Sequence, residues 1–493
     1  ANTTGYRNAA FGFAALQNNT IGTNNAAFGY QTLQTNTTGS NNTAVGLNSL
    51  FSNTIGGKNS AFGSQALFAN TTGITNSAFG TYALNANTIG QSNTAIGHQS
   101  LLNNTTGSNN TAVGNNSLNA NTIGISNTAV GHQSLLNNTT GASNVAVGVN
   151  ALLANTVGIY NTAVGQQALS SNTTGGKNTA VGLQSLYTNA VGSNNTAFGY
   201  AALFSNTTNS NSAFGYKALT ANTTGAFNVA VGYISLQSNT RGSYNTAVGY
   251  NSLSANTFGN YNSAFGYKAL NSNTTGNRNS AFGYSSLRLN TIGVRNTAFG
   301  YASMLFNTTG SYNVAFGTMA LYVNTIGAAN TAVGFESLYN NTAYNNSAFG
   351  YKVLRANTIG TGNTADGYHS LTINTTGSYN TSLGLQSLYS NTIGTRNIAV
   401  GVNALFSNTA GNDNNAFGYY ALKSNTTGYN NSAFGKTSLT SNTVGVNNSA
   451  FGRNTMVQNV NGNNNSAFGA YALSNNTTNN NSAFGYRALF TNT

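Results

Sequence analysis

The sequence predicts an all-β chain: a parallel β-solenoid, of the β-roll or β-helix kind, with 29 stacked coils of 17 residues, three of them shortened to 16. Three observations lead there. The motif Ala-[Val/Phe]-Gly, as at Ala44-Val45-Gly46, occurs in 29 near-identical copies, spaced by 17 residues in 25 intervals and by 16 in the other three. A 17-residue unit rich in Gly and Asn is too short for a helical repeat, which needs about 30 residues or more and apolar spacings of 3 and 4. The composition, 91 Asn and 58 Gly in 493 residues with no Pro, fits tight corners between short strands.

With the motif Gly as position 0, the elements of one repeat follow in order. Asn stands at −4 (Asn42, Asn59) and at +7 (Asn53, Asn70) in every copy. Stacked in register, such amides donate to one neighbour and accept from the other, forming ladders, and Asn also tolerates the left-handed backbone that corners need. Ala at −2 (Ala44, Ala61), an apolar residue at −1 and Leu at +4 (Leu50, Leu67) read as packing positions; Ser382 at −2, Asp366 at −1 and Met304 and Met456 at +4 are the departures. Positions −1 and +4 lie five apart, which strict alternation places on opposite faces. Either Gly at 0 (Gly46, Gly63) breaks the alternation or both faces are buried, one against sister chains. Gly at +10 (Gly56, Gly73) is present in every 17-residue interval, whereas the 16-residue ones carry Asn209, Tyr344 and Asn479 there. That reads as a bulged corner of positive φ, replaced by a tighter turn when one residue is lost. Each coil is expected to hold two or three short strands, stacked at about 4.8 Å.

Residues 1–493 read as a single continuous array, about 140 Å long at strand spacing, with no caps visible. The chain starts at position +6 and stops at +8, as expected of a window from a longer array or of a unit that joins end to end. Longer periods are superimposed: HQSLLNNTTG at His98 returns at His132, and the short intervals end at Gly215, Gly350 and Gly485. Growth by duplication suits a rod whose length is its function.

Composition narrows that function. Charged residues are 4% of the chain, against about a quarter in ordinary globular proteins. The acids are Glu336, Asp366 and Asp413 alone, too far apart in sequence for paired-carboxylate catalysis or a carboxylate metal cage, so no enzyme, metal or cofactor is expected. Absence of Cys removes disulfides and thiolate sites. The net charge is +13, but the 16 Lys and Arg are scattered, and only Arg7, Lys58 and Lys177 precede residue 200. Nucleic-acid binders cluster their cations, so no nucleic-acid partner is expected. No apolar run approaches the ~18 residues of a membrane helix, so no membrane insertion is expected.

Three surface features carry candidate functions. Tyr recurs at +1, in a stripe including Tyr200, Tyr216, Tyr233, Tyr250, Tyr267, Tyr284 and Tyr351, with Lys217, Lys268 and Lys352 beside it at +2. An aromatic and basic stripe could bind glycans or a partner fibre; equally, stacked rings merely cover the chain. Thr at +8 fills 27 copies, giving a flat rank of hydroxyls of the kind ice-binding solenoids use. Asn70 and Asn104 open N-x-T glycosylation patterns, which arise freely in so Asn- and Thr-rich a chain. Asp366 with His369 invites a functional pairing but reads better as a local defect in the apolar rank.

At Asn110-Thr111-Ala112-Val113-Gly114 with Ser117, and along the whole chain, the repeat resembles the head repeats of trimeric autotransporter adhesins and related phage tail-fibre proteins. Their N-S/T, A-I/V-G, S/A signature forms a left-handed parallel β-roll. The unit here is longer, adds Leu at +4 and an N-T-x-G corner, and lacks one residue between the hydroxyl residue and Ala. Together with the repeat, the resemblance implies the structural shaft of an extracellular, cell-surface or virion-associated fibre, self-associating as a homotrimer or an end-to-end filament. The alternatives are an adhesin or tail-fibre shaft that binds surface glycans through the Tyr-rich face, and an ice-binding solenoid.

Overall fold

The computed structural model describes residues 3–491. The chain groups into two compact units, Ala1–Tyr244 and Asn245–Thr493. Each is a parallel β-solenoid with no helix among the described residues. The first unit carries strands β1 (Ala9–Phe11) to β14 (Val229–Val231), the second β15 (Thr246–Val248) to β29 (Ser482–Phe484), one three-residue strand per repeat. Within a unit each strand pairs in parallel with the next and in register. Thr43, Ala44 and Val45 of β3 (Thr43–Val45) lie beside Ser60, Ala61 and Phe62 of β4 (Ser60–Phe62). The register survives a shortened coil, where β12 (Thr196–Phe198) meets β13 (Ser212–Phe214).

One strand per coil, rather than two or three, follows from the backbone. Gly46 has φ +129°, and Asn48, Leu50 and Lys58 have φ of 54°, 53° and 59°. A chain that repeatedly enters the positive-φ region cannot extend a pleated ladder past positions −3 to −1. The rest of the coil is nonetheless tied to its neighbours by main-chain bonds of 2.9 Å, from Asn48 N to Tyr30 O, Leu50 N to Ala66 O, and Ser52 N to Phe68 O. Positive φ at non-glycine residues therefore falls at −5, +2 and +4, and not at the constant Asn of −4 and +7, which owe their constancy to their side chains. Placing Leu in the left-handed region costs roughly 1–2 kcal/mol. Complete burial of its side chain, about 2–3 kcal/mol, offsets that.

The core of each coil is Ala at −2, Leu at +4 and the small residue at +3; Ala44, Leu50, Ala61, Ala66 and Leu67 are all fully buried. The apolar residue at −1 is not a core position. Alternation holds along the strand, so that Ala44 points inward while Thr43 and Val45 are half-buried on the outer face. Phe62 and Phe79 are 36% and 39% exposed.

Gly at +10 is required for a reason other than positive φ. Gly56 and Gly73 are absent from the positive-φ positions. A Cβ on Gly56 would lie 2.5 Å from the Gly73 carbonyl oxygen and closer still to Asn53 Oδ1. Stacking leaves no room for a methyl group there. In the shortened coils the carbonyls of Thr208, Ala343 and Thr478 take over the role of the Gly carbonyl, accepting from Asn206, Asn341 and Asn476 respectively. The residue dropped is the one at +9, which is exposed in long coils, as at Ile55.

Candidate binding surfaces

Two buried Asn ladders line each solenoid. At +7, Asn53 Nδ2 donates to Asn36 Oδ1 at 2.7 Å and to Gly56 O at 2.9 Å, while its Oδ1 accepts from Asn70 Nδ2 at 2.8 Å. At −4, Asn42 Nδ2 donates to the same Gly56 carbonyl at 2.9 Å, and its Oδ1 accepts the Asn59 main-chain N–H at 3.0 Å. Asn59 Nδ2 repeats the pattern on Gly73 O at 2.9 Å. Burying an amide without partners costs about 1–3 kcal/mol per group; here the partners are supplied by the copies above and below. The ladder residues read from the sequence therefore meet in one hydrogen-bonded interior.

The same geometry governs two surface readings. Asn70 and Asn104 are fully buried, and the Nδ2 that would carry a glycan is bonded in both, for Asn104 to Asn87 Oδ1 at 2.8 Å and Gly107 O at 2.9 Å. A sugar could be attached there only before the coil closes. Thr at +8 turns its hydroxyl along the stack, as Thr54 Oγ1 to Thr71 O at 3.1 Å and Thr88 Oγ1 to Thr105 O at 3.1 Å. That rank of hydroxyls is engaged inside the chain.

The Tyr stripe lies on the outside, as its alternation with Gly at 0 demands. In the first unit Tyr200, Tyr216 and Tyr233 stack with centroids 5.2 and 5.1 Å apart; in the second, Tyr250, Tyr267 and Tyr284 stack at 5.3 and 4.9 Å, and Tyr351 stacks on Tyr368 at 5.3 Å. Position +2 leans its cation over these rings: Lys217 Nζ is 5.4 Å from the Tyr216 centroid, Lys268 Nζ 5.1 Å from Tyr267, and Lys352 Nζ 5.0 Å from Tyr351. Ring faces are thus occupied by neighbouring rings and ammonium groups, leaving edges to solvent. Beside the stripe, the −1 rank forms a second ladder, with Phe282 and Phe299 at 4.3 Å and Phe434 and Phe451 at 4.8 Å.

The acids fall into local ion pairs and one lone position. Glu336 Oε2 is 2.5 Å from Arg355 Nε and 4.0 Å from Lys352 Nζ. Asp366 stands exposed on the outer face, between Phe349 and Leu383. His369 does not join it: its Nδ1 faces Thr372 Oγ1 at 3.3 Å, and its ring meets Tyr351, Tyr368 and Tyr389 edge-on. Burial, and then the charge of Lys352, lower the His369 pKa below the usual imidazole value.

The surface rank at −5 escaped the sequence reading, although its left-handed backbone projects every side chain outward. Arg396 there grips Asp413, one coil on, through Nε to Oδ1 at 2.6 Å and Nη2 to Oδ2 at 2.8 Å. The hydrogen bonds from Arg396 hold the Asp413 carboxyl below its ordinary range. Elsewhere on this rank in the second unit, Tyr261, Arg278, Arg295 and Tyr312 follow one another and, with Asn260 and Asn277, line an open groove of about 390 Å³. Listing charged residues one repeat apart on each outward position would have found both places. Among the described residues no group of three His, Cys, Asp or Glu could hold a metal ion. Comparison with protein-family models finds no match for the chain, and comparison with curated proteins finds none either.

Proposed function

We propose that the chain is the structural shaft of a fibre displayed outside the cell or on a virion, a self-associating scaffold whose work is mechanical. The observation that carries this reading is the buried Asn ladder. Each coil is bonded to the next through side-chain amides as well as through the backbone, so cohesion runs along the stacking direction and repeats with little change. Such a scaffold has little need of charged groups, and only 4% of the chain is charged. Its outer rows of half-exposed Phe and Val carry little charge, and low charge removes the repulsion that keeps copies apart. The resemblance to adhesin head repeats and tail fibres points the same way.

A glycan-binding face at the Tyr stripe has weaker support, because rings stacked at about 5 Å offer edges where a sugar needs a face. The test is mass per unit length by electron microscopy of the purified protein. One 17-residue repeat per strand spacing of about 4.8 Å is a single-chain filament, and three per spacing is a trimeric shaft. Monomers that stay dispersed at every concentration would overturn the proposal.

A further inference from the structure

We propose that Asn461 is a site of spontaneous chemical modification, where the side-chain amide cyclises onto the main chain and opens to aspartate or isoaspartate; the site does not rest on the shaft reading. The chain holds 91 Asn, and Asn461-Gly462 is its one Asn-Gly pair. It stands at +9 and +10 of its coil, where other coils carry pairs such as Ile55-Gly56 and Thr72-Gly73. Ring closure needs the nitrogen of the following residue to reach the Asn carboxamide carbon, and Gly, with no Cβ, leaves that approach open.

The fold frees the reacting groups at this corner. In an ordinary corner successive N–H groups converge on a carbonyl of the next coil: Thr426, Thr427 and Gly428 donate to Thr443 O at 2.8, 3.3 and 3.3 Å. Ahead of a short coil those bonds are absent, and the N–H groups of Val460, Asn461 and Gly462 have no partner among the described residues. The corners ending in Gly192 and Gly327 precede the other two short coils and lack the same bonds, but Val191 and Ile326 stand there in place of Asn461. Asn461 is exposed, and its Oδ1 accepts the Thr443 hydroxyl at 3.0 Å, shared with Val460 O at 3.2 Å, which polarises the amide carbonyl toward attack. The ladder Asn are the internal control. Asn59 Nδ2 is tied to Gly73 O at 2.9 Å, and the Ser60 N–H that follows it to Asn76 O at 2.8 Å.

The reaction is a hydrolysis through a cyclic imide. The Gly462 nitrogen gives its proton to solvent base and bonds to Asn461 Cγ, the Cγ–Nδ2 bond breaks, and ammonia leaves. Water then opens the imide at either carbonyl, giving aspartate or isoaspartate. In the isoaspartate product the main chain runs through the side chain and is one methylene longer just ahead of the Gly462 carbonyl. That carbonyl accepts from Asn448 Nδ2 at 2.8 Å and Asn459 Nδ2 at 3.1 Å, so the change at the surface reaches both buried ladders.

The experiment incubates the full chain at mildly alkaline pH, digests it in acid with pepsin, and follows each Asn-bearing fragment by mass spectrometry, with a urea-unfolded sample alongside. In the folded chain the Asn461 fragment should convert about tenfold or more faster than any other, and at nearly its unfolded rate, whereas folding should strongly slow the Asn59 fragment. The product should contain both aspartate and isoaspartate. Asn461→Ile, which installs the residue of other coils, should keep the fold and abolish the change. Conversion led by another exposed Asn, such as Asn103, overturns the site, as does folding that slows Asn461 as much as Asn59. Aspartate without isoaspartate overturns the cyclisation, because direct hydrolysis of the amide gives aspartate alone.

Discussion

The long and short coils of the second unit differ by one residue, and the difference isolates what the interior needs. In a long coil the +7 amide reaches both its own Gly carbonyl and the Asn of the preceding coil, as Asn357 illustrates one coil past the short one, donating to Asn341 Oδ1 at 2.7 Å and Gly360 O at 2.9 Å. In the short coil Asn341 Nδ2 donates to Ala343 O at 3.1 Å, and Asn324 Oδ1, buried in the coil before, is left without a partner. Asn459 Oδ1 is orphaned in the same way before the short coil that contains Thr478. In the first unit the corresponding bond, from Asn206 Nδ2 to Asn189 Oδ1, survives at 3.3 Å. Removing a surface residue at +9 thus reaches the core through the position of one carbonyl, while strand register is unaffected.

The largest effect should come from breaking a long-coil ladder outright. Asn53→Leu removes two donors and an acceptor and leaves Asn36 Oδ1 buried without its donor; we expect a loss of about 3–5 kcal/mol. Asn53→Asp should behave differently with pH. Burial and two facing acceptors raise the folded pKa of such a carboxyl above its unfolded value. Stability is then fullest below the unfolded pKa and is lost as pH rises through the folded one. Urea-unfolding midpoints measured at acid and neutral pH check both statements; a pH-independent Asn53→Asp would show that the ladder tolerates a carboxylate.

Next in size is Gly56→Ala, which drives a methyl group against the Gly73 carbonyl and should cost about 2–3 kcal/mol. The short-coil counterpart sharpens the point. Ala343 occupies the equivalent place behind a tighter turn and is 4% exposed, so Ala343→Gly should change stability by less than about 1 kcal/mol. Thermal unfolding of the two variants side by side decides it. If Gly56→Ala were as mild as Ala343→Gly, crowding would not be why Gly stands at +10.

These cases also mark how far the sequence could be read. A residue repeated at Asn53, Asn70 and their equivalents must see the same surroundings each time, so stacking, register and the amide ladder are legible in the repeat itself. Backbone handedness was not. The left-handed positions include residues such as Gln65, Lys58 and Leu50, whose side chains do not announce a positive φ, whereas the constant Asn of −4 and +7, which do suggest one, are needed for their amides. An invariant Gly signals either conformation or lack of space, and Gly56 gives no means of telling which. The outward turn of Phe62 was hidden because rows of like rings, here 4.9 Å from Phe79, cover one another and imitate a core. The groove at Arg278 and Arg295 was legible in principle, as cations one repeat apart, but the Tyr stripe at +1 drew the reading to another rank.

A restored ladder should give a smaller, stabilising effect. Inserting Ile after Thr342 together with Ala343→Gly rebuilds a 17-residue coil and returns a donor to Asn324 Oδ1, which should be worth about 1–2 kcal/mol. Native-state hydrogen exchange at the Leu338 and Asn341 amides reports it locally, and unchanged or faster exchange would mean that the orphaned oxygen was not the weak point of the short coil.

The smallest effect belongs to the surface rank, where the Arg396–Asp413 pair sits in water rather than in the core. Hydrogen bonds from Arg396 lower the Asp413 pKa, partial burial opposes them, and the Arg396 charge lowers it further. A depressed folded pKa means that the pair's contribution is present above the unfolded carboxylate value and is lost as pH falls through the folded one. Both groups are too exposed for that loss to register in global unfolding. It should register in the carboxyl chemical shift of Asp413, whose midpoint should lie below the ordinary Asp range and return to it in Arg396→Gln. A midpoint that ignores the substitution would mean that the fork is not held in solution.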